Sequence, residues 1–344
     1  MPFLRNTWYI AAFSNEVKPG ELLNRTILNE PIVFFRQEHG DAVALEDRCA
    51  HRFVPLSAGK HLGDRIACPY HGLEFDAKGN CVKNPHGQGV IPRKCKVKSY
   101  PIVERHHALW IWMGDIEAMD EAKVPDFSDF DDFPETALIL GYMHFNANYE
   151  LLVDNIMDLS HIDYLHPSAL GTDGEMGQNP PEVSDENGVV HCNWWVPDKL
   201  PMAFLAQNLP DPEAPADSWL EITWYPAGNM RLMVGGTPVG QPRENGILSS
   251  NLHLMTPETD RTTHYFHMHG RDFKVHDNEY NELYRGILDH AFGNEDKPMI
   301  ELQQKALGET TDLMSLNPVI LASDGGAVRA RWMLKRLIKA EQEA

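Results

Sequence analysis

Residues 49–72, CAHRFVPLSAGKHLGDRIACPYHG, carry the two halves of one metal-binding pattern. Each half supplies one cysteine and one histidine, Cys49 with His51 and Cys68 with His71, in the spacing C-x-H-x16-C-x2-H. Zinc accepts the same four ligands, but zinc fingers usually place both cysteines in one half and both histidines in the other. Mixed halves are the arrangement required when one iron of a cluster takes two thiolates and the other takes two imidazoles. The pattern therefore predicts a [2Fe–2S] cluster held between two loop tips.

A second group of metal-binding residue types lies at 154–166, DNIMDLSHIDYLH. Tyr149–Leu165 contains no glycine or proline and has apolar residues at helical spacing, which predicts a helix. Asp158 and His161 are three residues apart and share a face of that helix. His166 lies about 140° further round, so the helix must distort or end between the two histidines. With one carboxylate from elsewhere, two imidazoles form the facial triad of a non-haem ferrous oxygenase. Taken alone, such histidines are more often ordinary core or surface residues.

The two motifs together resemble those of the Rieske non-haem iron oxygenases. The resemblance covers nearly the whole chain and points to the branch that contains vanillate O-demethylase oxygenase and dicamba monooxygenase. The stretches that carry it are RNTWYIAA (5–12), CPYHGLEFD (68–76), NYELLVDNIMDLSHIDYLH (148–166) and HLMTPET (253–259). It implies an all-β Rieske domain followed by an α+β helix-grip catalytic domain, assembled as a homotrimer. It also implies a [2Fe–2S] Rieske cluster, a mononuclear Fe(II) and O2 as co-substrate.

The resemblance assigns the mononuclear iron to three ligands. His161 and His166 are two of them, and the third is an aspartate from a later helix. Asp296 is the candidate for that position, and Glu295 and Glu301 are its nearest rivals.

The resemblance also implies a route for electrons between subunits. Asp158 is the expected bridge, reaching from His161 to His71 of the next subunit, so that the cluster of one subunit serves the iron of its neighbour. Asn155, in the same motif, is a second catalytic candidate. No stretch resembles a flavin or nicotinamide site or the C-x4-C-x2-C signature of plant-type ferredoxins. A separate NAD(P)H-dependent reductase or ferredoxin is therefore expected.

The implied reaction is hydroxylation of a methyl or methoxy group on an aromatic acid, with O-demethylation releasing formaldehyde. His253 lies where the branch has a substrate-contacting histidine. Two other contacts do not carry over: Ile287 lies near the place of an expected tryptophan, and the asparagine expected near residues 231 and 232 is absent. Arg231 lies in the same predicted strand and either pairs with a carboxylate or sulfonate or is an exposed strand residue. The alternatives are hydroxylation of an aryl sulfonate methyl group or an alicyclic ring, and a Rieske electron carrier without oxygenase chemistry.

The composition limits partners and location. Lys and Arg number 30 against 50 Asp and Glu, a formal charge of −20 that argues against nucleic acid and anionic membranes. No apolar run approaches the ~20 residues of a membrane span, and MPFLRNTWYIAAF has no signal-peptide pattern, so a cytoplasmic protein is expected. Five cysteines are an odd number that does not suit a disulfide framework. Those outside the cluster motif are expected to be small core residues: Cys81, Cys95 and Cys192.

Hydrophobic patterning predicts two domains, 1–118 and 119–344. Short β-branched and aromatic runs between Trp8 and Trp112 predict an all-β domain, and an acidic linker follows over Asp115–Pro134. The predicted strands of the first domain are Pro31–Arg36, Ala42–Glu46, Glu74–Asp76, Val97–Val103 and Ala108–Met113. Those of the second are Val189–Val196, Trp219–Pro226, Met230–Val234, Ile247–Met255 and Thr262–His269. Two closing helices are predicted, at about His276–Ala306 and Ala327–Ala340.

Three smaller features allow both a functional and a structural interpretation. His264, His267 and His269 form a second metal site or, more simply, a pocket wall or sheet residues, with His267 and His269 on one strand face. His86 is expected in a turn near the cluster. The final helix presents either a solvated face or a basic patch for an acidic electron donor, formed by Arg329, Arg331, Lys335, Arg336 and Lys339.

Overall fold

The computed structural model describes residues 3–343, and the chain divides into two compact units. The first is Arg5–Asp126, and the second is built mainly from the chain after Phe127. The first is all-β and the second combines helices with one large sheet, which confirms the predicted fold class. Among residues 3–343, no helix is both long enough and apolar enough to cross a lipid bilayer.

The first unit contains three small antiparallel sheets, with strand orders β1-β11-β10, β2-β3-β4-β9 and β5-β6-β7-β8. Its strands are β1 (Trp8–Phe13), β2 (Leu23–Ile27), β3 (Glu30–Arg36), β4 (Ala42–Glu46), β5 (Lys60–His61), β6 (Arg65–Ala67), β7 (Glu74–Asp76), β8 (Cys81–Lys83), β9 (Ser99–Tyr100), β10 (Ile102–Arg105) and β11 (Ala108–Trp112). The sequence missed several of them because strands of two or three residues are too short to show a period. The predicted strand Val97–Val103 is two strands, β9 and β10.

The first unit extends beyond the boundary predicted between residues 118 and 119. Short 3₁₀ turns at Ile116–Ala118 and Glu121–Lys123 fold back onto it. Trp8 Nε1 donates to the Asp120 carbonyl at 2.8 Å, and Arg105 pairs with Glu121 at 3.2 Å. The acidic linker is therefore partly a piece of the first unit, because its polar groups find partners there.

The second unit is organised around a seven-stranded antiparallel sheet of order β12-β18-β17-β16-β15-β14-β13. The strands are β12 (Leu138–Phe145), β13 (Glu182–Glu186), β14 (Val189–Lys199), β15 (Ala216–Tyr225), β16 (Asn229–Pro238), β17 (Ile247–Thr259) and β18 (Thr262–Arg271). The helices are α1 (Tyr149–Met157), α2 (Ile162–Leu165), α3 (Glu175–Gln178), α4 (Ala203–Ala206), α5 (Asn278–His290), α6 (Lys297–Leu307) and α7 (Gly325–Glu343). Five strands match predicted runs, and β12 and β13 were not predicted.

Strand register aligns polar side chains on one face of this sheet. Asn251 lies opposite His269, and His253 lies opposite His267. His267 in turn lies opposite Gly141 of β12. A Cβ at Gly141 would come within 2.1 Å of the His267 ring, so only glycine leaves room for it. The face therefore presents a row of buried imidazole and amide groups rather than a purely apolar surface.

Two predicted helices are interrupted next to predicted metal-binding residues. The helix predicted over Tyr149–Leu165 ends at Met157, and Asp158 begins a new 3₁₀ turn by accepting a hydrogen bond from Ser160 N at 3.0 Å. The long closing helix predicted from His276 is α5 and α6 joined by a π-helical turn at Ala291–Asp296. The extra residue in such a turn changes which side chains face inward.

The basic patch predicted on α7 is corrected in part, because its side chains are paired. Arg331 is 3% exposed and forms ion pairs with Asp154 at 2.6 Å and Glu150 at 2.9 Å. Lys335 pairs with Asp312 at 2.9 Å. The Arg331 pairs connect α7 to α1, and the Lys335 pair connects α7 to the turn that begins at Asp312, so these two cations are not free.

Candidate metal centre and adjoining cavity

Three side chains converge between the turns that follow α1 and the π-helical turn. The ligand atoms offered by His161, His166 and Asp296 all lie within 4.8 Å of one another. Asp296 Oδ1 is 3.1 Å from His166 Nε2 and 3.5 Å from His161 Nε2. His166 and Asp296 are buried, 2% and 3% exposed. Two imidazoles and a carboxylate at this spacing suit one ferrous ion with open coordination positions.

The orientations of the His161 and His166 rings are fixed by hydrogen bonds at Nδ1, the ring nitrogen that does not face Asp296. His161 Nδ1 lies 2.6 Å from the Asp158 carbonyl oxygen, and His166 Nδ1 lies 2.6 Å from Glu295 Oε2. Because each Nδ1–H donates to an oxygen, each Nε2 lone pair faces Asp296, which is the orientation metal-bound histidines need. Burial lowers the pKa of His166, but the protonated ring donates from both nitrogens, and its hydrogen bonds to Asp296 and Glu295 outweigh burial and leave that pKa raised.

The two rival carboxylates occupy other places. Glu295 contacts the far side of the His166 ring, so it orients that histidine. Glu301 accepts from the backbone and side-chain nitrogens of Asn146 at 2.9 and 3.1 Å. Asn155 Nδ2 donates to Asp296 Oδ1 at 3.0 Å and holds this carboxylate in place.

Asp158 contacts His161 differently from the expectation. Its backbone carbonyl, and not its carboxylate, accepts from the ring. The carboxylate accepts from Ser160 N and, at 3.2 Å, from Ser323 Oγ. It lines a groove on the second unit together with His161 and the exposed segment that includes Val319 and Ile320.

A small cavity of about 80 Å³ opens beside the three converging side chains. Most of its wall is apolar, with side chains from sheet and helices: Phe204, Leu220, Leu232, Val234, Leu288 and Phe292. Apart from the three converging side chains, its imidazole and amide groups are Asn251, His253 and His269. No lysine or arginine is among the described lining residues. The cavity therefore suits a small, largely apolar molecule.

Three buried histidines of the sheet, His253, His267 and His269, have lowered pKa values. Burial lowers the pKa of His253 to about 3 and that of His267 to about 3, and it lowers the pKa of His269 well below its usual value. His267 Nδ1 lies 2.9 Å from His269 Nε2, and His269 Nδ1 lies 2.6 Å from Asn251 Oδ1. His267 and His269 are thus hydrogen-bonded to each other, and only His269 lines the cavity. Among the described residues they do not belong to a cluster of three potential metal ligands.

Two predicted substrate residues do not line the cavity. Arg231 pairs with Asp129 at 2.5 Å, on the face of β16 opposite to Leu232. Ile287 is half-buried on the other side of α5, whose cavity-facing residues are Tyr284 and Leu288. Each prediction is corrected by one position, because neighbouring residues of a strand or helix point in different directions.

Asn251 is the cavity residue that sequence reasoning missed. The asparagine expected near residues 231 and 232 is absent, yet Asn251 lies opposite Leu232 on the adjacent strand. The one indication of Asn251 in the sequence is its spacing from His253: residues two apart in a strand lie on the same face. Choosing between the faces required the register of the sheet.

In the first unit, the two Cys-x-His loops have matching backbone geometry. Cys49 N donates to Val54 O and Phe53 N to Cys49 O, both at 2.9 Å. In the second loop, Cys68 N donates to Leu73 O at 2.8 Å and Gly72 N to Cys68 O at 3.1 Å. Phe53 and Gly72, at equivalent places, have φ of 60° and 70°. Strands β5 and β6 lie between the two loops in the chain, and β7 follows the second loop.

The loops place thiols inside and imidazoles outside. Cys49 and Cys68 are 1% and 4% exposed, while the His51 and His71 rings lie at the surface with centroids 4.5 Å apart. Burial raises the pKa of Cys49 to about 11, and backbone N–H groups of His51 and Arg52 oppose this shift. Such N–H donors stabilise thiolate sulfur, so the donor set fits a cluster with two buried thiolates and two outward imidazoles.

The remaining features near this site have simple roles. His86 lies in a turn, as expected, and its Nε2 is 2.8 Å from the His71 carbonyl oxygen. Cys81 is buried and Cys95 is partly buried, both in the apolar core beneath the two loops. Cys192 is buried in the second unit, where its sulfur lies 3.5 Å from the Met157 carbonyl oxygen.

Comparisons with known proteins match both units. A family model described as the Rieske [2Fe–2S] domain matches residues 7–101. A second, described as the vanillate O-demethylase oxygenase C-terminal domain, matches residues 145–340. Together the two models cover the loops that hold the cysteines and the whole region that holds the three converging side chains.

Full-length relatives agree with these matches. The iron–sulfur subunit of the toluene-4-sulfonate monooxygenase system of Comamonas testosteroni is 38% identical over 350 residues, covering 98% of this chain and 98% of that protein. The oxygenase component of dicamba O-demethylase of Stenotrophomonas maltophilia is 38% identical over 343 residues, covering 99% of each. A crystal structure of dicamba monooxygenase bound to 3,6-dichlorosalicylic acid superposes with a TM-score of 0.92 at 36% identity, covering 100% of both chains.

Proposed function

Because this chain belongs to the Rieske non-haem iron oxygenases, in the family of the vanillate O-demethylase oxygenase, we propose that it hydroxylates a methyl or methoxy carbon of a small aromatic acid. Hydroxylation of a methoxy carbon gives a hemiacetal, which collapses to a phenol and formaldehyde. The observation that carries the proposal is the convergence of His161, His166 and Asp296 at the wall of an otherwise apolar cavity.

The family's cofactors are a [2Fe–2S] Rieske cluster and a mononuclear non-haem iron. In the proposal, Cys49, His51, Cys68 and His71 hold the cluster, and His161, His166 and Asp296 hold the iron. When bound, these groups supply electrons and activate O2. The convergent Nε2 and carboxylate atoms, and the buried sulfurs with N–H donors, support this ligand set.

The chain's own residues determine where the substrate lies and how water is excluded. Glu295 and the Asp158 carbonyl fix the two histidine rings, and Asn155 fixes the Asp296 carboxylate. Phe292 packs against the cavity side of the sheet, with its ring 5.6 Å from the His253 ring. These contacts leave an apolar space in which a methyl or methoxy group lies beside the metal centre. His253 is the residue proposed to hydrogen-bond the substrate's polar group.

The oxygenase component requires a separate reductase or ferredoxin, and we place the protein in the cytoplasm. A homotrimer is the assembly that lets the outward imidazoles of one copy approach the groove at Asp158 of the next. The apolar surface of that groove supports such a contact, since Val319 is 85% exposed and Leu321, beside it, is 62% exposed. In this arrangement Asp158 is the bridge between His71 of one copy and His161 of the other.

The two alternative functions, an electron carrier and hydroxylation of another scaffold, are not equally consistent with the observations. An electron carrier without oxygenase chemistry needs neither the match over residues 145–340 nor the three converging side chains. Hydroxylation of another scaffold uses the same site, and the relative that acts in a toluene-4-sulfonate monooxygenase system is as similar as the dicamba O-demethylase component. O-demethylation and aryl methyl hydroxylation are therefore tested together.

The test combines metal analysis with product analysis. Purified protein is assayed with a reductase, NADH and O2 against methoxybenzoates, toluene-4-sulfonate and a cyclohexane carboxylate. We expect about three iron atoms per chain and formaldehyde from at least one methoxybenzoate. Iron near two atoms per chain with no product would support the carrier. If toluene-4-sulfonate or the cyclohexane carboxylate is hydroxylated and no methoxybenzoate releases formaldehyde, the substrate is that compound class and not an aromatic methoxy acid.

A further inference from the structure

The positive charge of this acidic chain is concentrated in one stretch of the first unit. Residues 77–103 contain six of the chain's 30 lysine and arginine residues and none of its 50 aspartate and glutamate residues. The six are Lys78, Lys83, Arg93, Lys94, Lys96 and Lys98. Whether this stretch has a function depends on how many of these cations are paired and on what lies beside them.

Most of these cations have no acidic partner among the described residues. Lys83 and Lys98 are paired with glutamates, at 2.7 and 3.1 Å. The other four are exposed and form no ion pair within residues 3–343: Lys78, Arg93, Lys94 and Lys96. Three of them lie within the four residues 93–96, so three unpaired positive charges are close together on the surface.

These three cations lie on an ordered loop, residues 84–96, which we call the basic loop. Near its start, His86 Nε2 lies 2.8 Å from the His71 carbonyl oxygen, and the centroids of the two rings are 5.9 Å apart. Near its end, Cys95 O accepts a hydrogen bond from Cys81 N at 3.2 Å. The basic loop is therefore fixed at both ends, and its first turn contacts the loop that supplies an outward imidazole of the cluster motif.

The tip of the basic loop is apolar and exposed. Val90 is 71% exposed and Ile91 is 38% exposed, and only Pro92 separates them from the cations. Asn84 Nδ2 donates to the Val90 carbonyl oxygen at 2.7 Å, which fixes the backbone of the tip. Apolar contacts bordered by charge are typical of docking surfaces, in which the charges steer the encounter. A surface of this small size suits the brief complex of an electron-transfer protein.

We propose that the basic loop is the docking surface for the separate electron donor, and that this donor is a small redox protein or reductase domain with an acidic face around its redox centre. The inference rests on the proposed function, which requires electrons from another protein. The donor loses one electron and the oxidised cluster gains it at its His71 edge, so no bond forms or breaks.

The charge of the whole chain explains why the donor is acidic. A basic donor would be attracted to most of a chain of formal charge −20 and would need no positive surface beside the cluster. An acidic donor is repelled from most of this chain and attracted to the basic loop. The loop therefore directs it to the edge of the cluster.

Stopped-flow reduction of the cluster tests this surface without any substrate. The probe is a reduced, acidic plant-type [2Fe–2S] ferredoxin, whose potential lies below that of a Rieske cluster. It is mixed with the oxidised holoenzyme without O2. Combining Arg93→Glu, Lys94→Glu and Lys96→Glu should lower the second-order rate constant at least about tenfold at low salt. This difference should shrink toward ~1 M salt, where the screening length is only about 3 Å.

Binding gives a second measurement that does not depend on electron transfer. The Kd of oxidised ferredoxin for the oxidised holoenzyme, measured by calorimetry, should rise about tenfold in the same triple variant at low salt. Val90→Ser combined with Ile91→Ser should raise this Kd about threefold at every salt concentration, because loss of apolar contact is not screened.

A matched variant separates the basic loop from net charge. Lys18→Glu, Lys305→Glu and Arg336→Glu make the same change in formal charge at exposed positions outside the loop. Together they should slow cluster reduction by less than about threefold, because charge away from the docking surface is largely screened. Arg336 belongs to α7, so this variant also tests that helix as a docking surface. Both triple variants should keep the cluster spectrum and be fully reduced by dithionite.

The outcomes separate this inference from the proposed function. Equal slowing in both triple variants, or a wild-type rate that does not fall with salt, would overturn the inference. So would a wild-type cluster that dithionite reduces and the ferredoxin does not. A change of oligomeric state in the loop variant, seen by gel filtration, would show that the loop contacts a second copy instead of a donor. If reduction and binding follow the expected pattern but no methoxybenzoate yields formaldehyde, the docking surface stands and O-demethylation is the part that fails.

Discussion

At the scale of single residues, the metal centre depends on a division of labour between two adjacent carboxylates. Asp296 lies near the Nε2 atoms of both His161 and His166, whereas Glu295 contacts only one of these two rings, that of His166, at Nδ1. The two side chains are neighbours in sequence but lie on opposite sides of one imidazole ring. One is thus suited to bind metal and the other to orient a ligand.

This division predicts different results from changing different acids. Asp296→Ala should lower the iron content from about three to about two atoms per chain, because the mononuclear site loses one of three ligands while the cluster is untouched. Iron analysis and the visible spectrum of the cluster check this. Glu301→Ala is the control, since its carboxylate contacts Asn146 and not the histidines. Full iron in Asp296→Ala together with loss in Glu295→Ala would mean that the third ligand has been misassigned.

At the scale of elements, the π-helical turn Ala291–Asp296 sets the direction of the third ligand. It joins α5 and α6 without a break and places both Phe292 and Asp296 in the buried region. Each residue of an α-helix turns the chain by about 100°. Removing the extra residue would therefore rotate the residues after the turn by about 100° relative to those before it. The chemistry therefore depends on one extra residue in a helix.

Deleting Asn294 tests this dependence. This side chain is exposed, so its loss removes length without removing core packing. The deletion should restore a regular helix, turn Asp296 away from the histidines and cost the mononuclear iron. Circular dichroism should still report a folded protein with its cluster. Asn294→Ala keeps the length and should keep the iron; iron retained in the deletion variant would contradict a role for the turn.

The contact between α1 and α7 carries a predictable pH dependence. Burial raises the pKa of Glu150 to about 7, with Arg331 opposing and Asp154 adding to this shift. The folded state therefore binds a proton that the unfolded state, with an ordinary carboxyl pKa, releases at lower pH. The stabilisation of the folded state by this bound proton is present at acidic pH and is lost as the pH rises toward 7.

The corresponding measurement is unfolding as a function of pH. Between pH 5 and 7 the free energy of unfolding should fall by on the order of 2 kcal/mol from this group. Glu150→Gln should remove most of that slope, because the amide does not titrate. Glu301→Gln is the control and should leave the slope as it is. An unchanged slope in Glu150→Gln would place the pH dependence elsewhere.

At the scale of the whole molecule, function in the proposed trimer depends on electron transfer between copies. Asp158 is placed for this because its backbone carbonyl fixes the His161 ring and its carboxylate lies in the exposed groove. Ser323 donates to that carboxylate at 3.2 Å and holds it beside α7. The same residue thus belongs to the metal centre by its backbone and to the proposed interface by its side chain.

Asp158→Asn separates these two roles. The backbone carbonyl is unchanged, so trimer, cluster and mononuclear iron should be retained. The proposed bridge loses its charge, so reduced cluster should pass its electron to the iron at least about tenfold more slowly in a single turnover. Asp324→Asn, a carboxylate that lines the same groove, should keep the wild-type rate. An unchanged rate in Asp158→Asn would leave Asp158 as a structural cap only.

The sequence by itself determined the features that depend on local pattern. The alternation of short apolar runs predicted an all-β unit, and mixed Cys-x-His halves predicted a cluster held by two loops. The angle between His161 and His166 predicted a helix that distorts or ends between them, whereas the helix ends earlier, at Met157, and Asp158 begins the next turn before both histidines. Each follows from neighbours in the chain, whose geometry is fixed by the backbone.

Only the tertiary structure decided which residues line the cavity. Arg231 and Ile287 were each one position from the residues that do, Leu232 and Leu288, because a strand or helix turns its side chains to different sides with every residue. Asn251 lines the cavity because strand register places it beside Leu232. Asp296 lines it because of the extra residue in the π-helical turn. Register and helical phase arise from packing between segments far apart in the chain, and no local pattern contains that information.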